Sequence, residues 1–207
     1  MNIRIKICGI THPADAVLAA EAGADLIGLN FVPDSPRRLD LETAAAIAST
    51  VAGRLERVGV FRDASPEEIG RVLRRVDLDR LQFHGSETEA AVEEVDLPVI
   101  KAIRGADAEA AASYPGTILL LDHPDGQAGS GRAWDWSEAA PLIESGFDVI
   151  LAGGLSPDNV GGALAALGDL LPWGVDVASG VEGNGHRKDA AKLAAFVQAV
   201  RKAEAGG

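Results

Sequence analysis

The sequence predicts an α/β fold, a single-domain (βα)8 barrel, on three observations. One phrase recurs along the 207 residues: a short apolar run, a turn bearing Gly or Asp, then an Ala-rich segment of helical period. Eight such units fit in the chain, the count of a compact barrel, whereas a doubly wound sheet usually needs fewer strands. No linker, low-complexity tract or block of charge divides the sequence, so residues 1–207 read as one domain.

The first strand, 3–8, is announced by Ile3-Arg4-Ile5-Lys6-Ile7, which alternates apolar and charged residues until Gly9 breaks it. Thr11 is placed to cap a helix over 13–22 that opens on Pro13. A strand over 25–31 precedes a helix over 40–52. A strand over 57–61 precedes a helix over 65–75, whose start carries the capping sequence Ser65-Pro66-Glu67-Glu68. The strand at 79–84 leads to a helix at 86–95, opening on Ser86-Glu87-Thr88-Glu89, and the strand at 98–103 to a helix at 106–113. The apolar run at 117–122 is followed by a long connection and a helix at 135–145, opened by Asp135-Trp136-Ser137. The last two units pair strands at 148–152 and 174–177 with helices at 156–166 (from Ser156-Pro157-Asp158) and 188–203, and the final residues should fray.

A hydrophobic content of 47% against 24% charged residues marks a globular chain. Its net charge of −12 leaves no electrostatic footprint for nucleic acid or an anionic membrane, so a phosphorylated small-molecule substrate must rely on local dipoles and a few placed cations. Arg4 and Lys6 interrupt any signal-peptide core and no run is long enough to span a membrane; the expected location is the cytoplasm, in keeping with a lone thiol.

In a barrel the strands' C-terminal tips converge on one mouth, bringing together Cys8, Phe31, His84, Asp122, Gly153 and Asp176. Cys8, the only cysteine, is at a strand tip suited to chemistry, although a packed small hydrophobe is the ordinary alternative. Asp122 ends the apolar run Ile118-Leu119-Leu120-Leu121; partial desolvation there should raise its pKa and suit it to general-acid work, against the plainer reading as a cap or loop ion pair. The glycine-bearing stretch 123–133 has the length of a lid, or of an ordinary mobile loop. Gly153-Gly154 after the seventh strand and Ser179-Gly180 after the eighth, with a short extra helix expected near 180–183, form a phosphate-binding pair of loops. Of Arg37 and Arg38, one should hold a carboxylate and the other be solvated. His84 could bond a hydroxyl, act as acid or base, or be structural. The four histidines lack metal-ligand spacing, so no metal or cofactor is expected; no dinucleotide fingerprint, P-loop or nucleophile elbow is present, and few aromatics are available to stack on bases.

Together, Lys6-Ile7-Cys8-Gly9-Ile10-Thr11, Ser35-Pro36-Arg37, Val58-Gly59-Val60-Phe61, Leu81-Gln82-Phe83-His84-Gly85, Leu119-Leu120-Leu121-Asp122, Gly129-Ser130-Gly131, Gly153-Gly154-Leu155 and the run from Val175 to Glu182 resemble phosphoribosylanthranilate isomerases. The resemblance runs in order from residue 3 to about residue 190. It implies a barrel of the ribulose-phosphate-binding type and a cofactor-free Amadori rearrangement in tryptophan biosynthesis. In it Asp122 corresponds to the general acid, Cys8 to the general base, and Arg37 to the anchor of the anthranilate carboxylate. Gly154, Ser179 and Gly180 fall in the matching phosphate loops, and His84 and Asp176 at polar positions near the sugar. Lys6 is close enough in sequence to lower the thiol pKa if it points inward. Departures are Ala178 where serine is common, and Arg132-Ala133-Trp134 in the long loop, where lysine and phenylalanine are common. The competing readings are the histidine-pathway isomerase, which carries aspartate in place of Cys8, a dual-substrate isomerase, and a non-catalytic phosphate-ligand sensor. Monomer and homodimer both remain open.

Overall fold

The computed structural model describes residues 2–125 and 133–206. Eight parallel strands close into a barrel in sequence order: β1 (Arg4–Ile7), β2 (Leu26–Asn30), β3 (Glu56–Phe61), β4 (Arg80–Phe83), β5 (Val99–Arg104), β6 (Ile118–Asp122), β7 (Val149–Leu151) and β8 (Gly174–Val177). The closing pair sets Lys6 beside Asp176 and Ile7 beside Val177. Helices α1 (Pro13–Ala22), α2 (Leu41–Thr50), α3 (Pro66–Leu73), α4 (Glu89–Glu93), α5 (Ala108–Ala112), α6 (Ala140–Glu144), α7 (Val160–Ala165) and α8 (Ala190–Gly206) follow the strands in turn. Among the described residues, no helix is long and apolar enough to cross a membrane.

The strands are buried on both faces, which is why Ile118-Leu119-Leu120-Leu121 is apolar throughout. Their period of two sorts the core in two. Leu26, Val58, Ile100, Ala102, Ile118, Leu120, Ile150 and Ala152 fill the barrel, while residues such as Ile5, Ile7, Leu119 and Leu121 pack outward under the helices. At the N-terminal end the Arg4 and Arg80 guanidinium groups lie over the Trp173 ring, 5.0 and 5.6 Å from its centroid, and Arg4 pairs with Glu56 at 2.9 Å.

Several local expectations hold and others shift. Ser65 and Glu68 form a reciprocal capping box, and Asp135 caps the turn after it. Before α1, however, the cap is His12, whose Nδ1 accepts from Ala14 N–H, and not Thr11. Thr88 caps α4, leaving Glu87 free for a buried role. The helix expected at 135–145 is a 3-10 turn (Trp136–Ala139) running into α6. The one expected from 156 begins at Val160, because Asn159 ties the preceding turn by accepting from Ser156 N–H and donating to Gly154 O. The extra helix after β8 is a 3-10 turn at Ser179–Val181, slightly earlier than expected.

Candidate active site

A cavity of about 260 Å3 opens among the C-terminal strand ends. Cys8, Arg37, His84, Asp122, Gly153, Gly154, Asp176 and Ser179 line it. Phe31 does not belong to the mouth. Its parity on β2 is opposite to that of Leu26, so it turns outward and stacks on Phe61 at 5.3 Å, and Asn30 lines the cavity in its place. The predicted lid falls mainly on residues 126–132, outside the described residues.

Cys8 follows β1 and shares the inward parity of Lys6. The Lys6 side chain is fully buried and donates to Asp176 Oδ1 at 2.8 Å. Thiol and ammonium are neighbours: a Cβ built on Gly28 would approach Cys8 Sγ to 2.8 Å and Lys6 Nζ to 3.3 Å. Burial pulls the ammonium down, but Asp176 and the thiol outweigh it and leave Lys6 raised. For the thiol the balance goes the other way. Burial pushes the Cys8 pKa up and outweighs the lowering by Lys6 and Lys188, while Asp176 adds to the rise. Lys6 does point inward and lowers the thiol pKa as expected, but burial outweighs it.

Asp122 ends β6, three strands round the closed barrel from β1 through β7 and β8. His84 Nε2 lies 3.1 Å from its Oδ2, and Gln82 Nε2 lies 3.1 Å from His84 Nδ1. With the Gln82 amide donating to Nδ1, the imidazole proton is on Nε2 and is donated to Asp122. Gln82 Oε1 is then buried with no partner among the described residues; turned over, the amide would accept from an imidazolium. Burial acts to raise the Asp122 pKa, but His84's hydrogen bond and charge, with help from His123, hold it below the ordinary carboxylate value. The raised pKa expected from desolvation is therefore not found. His84 and Asp122 also border a second hollow of about 540 Å3, where Lys101 is buried and donates to Glu87 and to Gly85 O, fixing the loop that carries His84.

Of the two arginines, Arg38 is exposed and Arg37 is held. Arg37 donates from Nε and Nη2 to both oxygens of Glu182 at 2.6 and 2.8 Å. Lys188, wholly buried, donates to Glu182 Oε1 and to Ala178 O at 3.0 Å each. Burial acts upward on Glu182, but Arg37 and Lys188 bring it down to about 2. Burial also pulls Lys188 below its ordinary value, which Glu182 does not fully offset. Asp15 on α1, fully buried, accepts from the Arg187 guanidinium and from Lys188 N–H, pinning this stretch to the barrel wall.

The two glycine loops meet backbone to backbone. Gly153 and Gly154 have φ of +75° and +88°, and a Cβ on Gly180 would lie 2.1 Å from Leu155 O. Gly180 itself stands behind the cavity wall; Ser179 supplies the lining. Both indoles at the end of the long loop donate to Ala152 O, Trp134 at 3.0 Å and Trp136 at 2.8 Å, anchoring the residue before Gly153. Among the described residues, no three His, Cys, Asp or Glu side chains gather as metal ligands.

Sequence reasoning missed Glu182, Lys188, Asp15, Gln82 and Asn30. Parity on the strands would have found Gln82 and Asn30, each two residues from an inward position. Asp15 occupies the buried face of α1 with Ala16 and Ala19.

Comparison with known proteins bears on the family. Residues 5–199 match the family described as N-(5'phosphoribosyl)anthranilate (PRA) isomerase. A Pseudomonas putida protein of that name is 47% identical over 209 residues, covering 98% of this chain and 99% of its own. The crystal structure of phosphoribosyl anthranilate isomerase from Thermus thermophilus is 41% identical, with a TM-score of 0.87 over 97% of this chain and 99% of that one. A second structure, 34% identical with a TM-score of 0.86 and covering 97% and 99%, holds reduced 1-(o-carboxyphenylamino)-1-deoxyribulose 5-phosphate.

Proposed function

The chain belongs to the N-(5'-phosphoribosyl)anthranilate isomerase family, and from that premise we propose how its residues perform the isomerisation in tryptophan biosynthesis. The substrate is N-(5-phosphoribosyl)anthranilate and the product 1-(2-carboxyphenylamino)-1-deoxyribulose 5-phosphate, an Amadori rearrangement. Asp122 gives its proton to the ribose ring oxygen as the C1–O bond breaks and the aniline nitrogen's lone pair forms a protonated Schiff base. Cys8 takes the C2 proton; the C–H electrons form the C1–C2 double bond and neutralise the iminium nitrogen, giving an enolamine. Loss of the enol hydroxyl proton and protonation of C1 give the ketone.

The observation that carries this reading is the placement of Cys8 and Asp122 on well-separated strands around one cavity, with Arg37 and the paired glycine loops on the same walls. Asp122 must hold a proton to act as an acid. A ligand that expels water and brings a phosphate and a carboxylate raises the proton affinity of Asp122, and His84 at 3.1 Å is the adjacent group through which it reloads. The iminium charge acidifies C2, which lessens the basicity required of the thiol. Arg37 receives the anthranilate carboxylate; Gly153, Gly154, Ser179 and Gly180 build the phosphate loops; Asp176 and His84 face the sugar.

Fluorescence-monitored turnover of phosphoribosylanthranilate generated in place tests the assignment. Native enzyme should consume it, and C8S should bind the reduced product analogue yet lose most turnover. Turnover of only the aminoimidazole substrate of the histidine pathway would overturn the substrate assignment, and near-native kcat in C8S would overturn the role of the thiol.

A further inference from the structure

We propose that Glu182 is a positioning residue that locks Arg37 by one edge, so that the opposite fork of the guanidinium is presented to the substrate carboxylate, making Glu182 a determinant of preference for carboxylate-bearing substrates. The inference rests on the reading of Arg37 given above.

A guanidinium has two bidentate faces, one made by Nε with one amino group and one made by the two amino groups. Glu182 takes the first, through Nε at 2.6 Å and Nη2 at 2.8 Å. The Nη1 group and the second hydrogen of Nη2 stand outside this pair and make the other fork. The relation to the cavity is asymmetric. Arg37 lines it, whereas Glu182 is buried behind it and absent from its walls. The arginine stem runs across Gly9, its Cδ 2.4 Å from where a Cβ on that residue would be, so the absent side chain is what leaves room for the held arginine. Residue 9 thus forms a floor that only glycine provides, which explains the glycine directly after Cys8.

An arginine paired with one carboxylate is close to neutral and a poor anchor for another anion. Here that cancellation is undone. Lys188, buried and fixed by Ala178 O, gives a second positive charge to the same Glu182 oxygen that meets Nε, and His186 Nδ1 lies 3.3 Å from the other oxygen. Arg37, Glu182 and Lys188 together carry one net positive charge with fixed geometry. The glutamate therefore orients Arg37 without removing its pull on an anion.

The test uses calorimetric titration with two ligands: the reduced product analogue, and the same molecule lacking the ortho-carboxylate. Native protein should prefer the carboxylate by about 100-fold, the scale of a charge-assisted fork. R37A should abolish the preference. E182Q should cut it about tenfold while leaving the affinity for the carboxylate-free ligand near native, the signature of lost orientation. E182D, which keeps a charge for Lys188 but draws the carboxylate back from the guanidinium, should fall between native and E182Q. The ratio of the two affinities cancels any inactive fraction, so a destabilised variant still gives an answer. An unchanged preference in E182Q with its loss in R37A would overturn the role of Glu182 alone. An unchanged preference in R37A would overturn the reading of Arg37 beneath it. Equal weakening of both ligands in E182Q would show a merely structural glutamate and also overturn the proposal.

Discussion

Replacing Gly180 by alanine tests the claim that the two glycine loops form one anion site. The added Cβ would lie 2.1 Å from Leu155 O and 3.0 Å from Ser156 Cα. The first distance is more than about 1 Å short of an ordinary contact, and its partner is a main-chain oxygen that cannot rotate away. The loops after β7 and β8 must therefore separate by about 1 Å. Overpacking of this kind costs about 1–3 kcal/mol of stability. A displacement of about 1 Å in a binding group costs up to roughly 100-fold, so kcat/KM should drop about 10- to 100-fold, with inorganic phosphate binding weakened by a similar factor. Urea denaturation and competition by phosphate measure the two effects separately. Gly162 supplies the control: it is exposed within α7, and nothing lies within 4 Å of an added Cβ, so G162A should gain about 0.5–1 kcal/mol and leave phosphate binding alone. Native phosphate affinity in G180A alongside the full stability loss would refute the anion site, and native stability would refute the backbone contact.

The pH dependence of kcat/KM offers two further readings of the same mouth. Since His84 is what holds Asp122 below its ordinary pKa against burial, H84Q should move the acid limb to higher pH, and a stationary limb would separate His84 from that carboxylate. Lys188, Lys6 and Asp176 face the thiol, and of these the two lysines lower its pKa; K188M should move the alkaline limb to higher pH, which thiol alkylation rates followed against pH would check independently. Glu182 is held at about 2 against an ordinary 4.5, so its contribution to stability is full above about pH 4.5 and is lost as pH falls towards 2. Unfolding free energies measured across that window should slope less steeply in E182Q than in the native protein.

How far the site was legible depended on whether a residue's partner was near in sequence. Strand parity is local, and it puts Lys6 with Cys8, and Gln82 with His84, on the inner face without any knowledge of the fold. The same parity on β2 turns Phe31 outward onto Phe61 and leaves Asn30 at the mouth. The capping shifts are equally local: His12 competes with Thr11 for the same amides, and an imidazole nitrogen serves as well as a hydroxyl. Glu182 and Lys188 are different in kind. Glu182 meets Arg37 across 145 positions, and Lys188 N–H meets Asp15 across 173, so no window of sequence contains both members of either pair. What makes a buried charge tolerable is a partner supplied by the closed barrel, and a charge at a helix start looks solvated until that closure is known.

The directions of the two central pKa shifts bear on how the proposed mechanism can run. Burial leaves a proton on Cys8, and His84 leaves Asp122 without one, so the empty cavity favours a thiol facing a carboxylate. The mechanism requires the reverse, but the number of protons in the cavity is the same. Substrate therefore has to move one proton and need not draw one from solvent. Its phosphate and carboxylate favour protonation of Asp122, and the iminium that follows favours negative charge at Cys8. The protein has prepared the second half of this exchange. Three of its five lysines are buried, and two of them, Lys6 and Lys188, act on the thiol. In water such charges would be screened, whereas in a dry barrel their attraction is several times stronger. The same burial that penalises a thiolate in the resting site thus strengthens the cations that receive it, which accounts for an acidic chain concentrating buried positive charge beside its one cysteine.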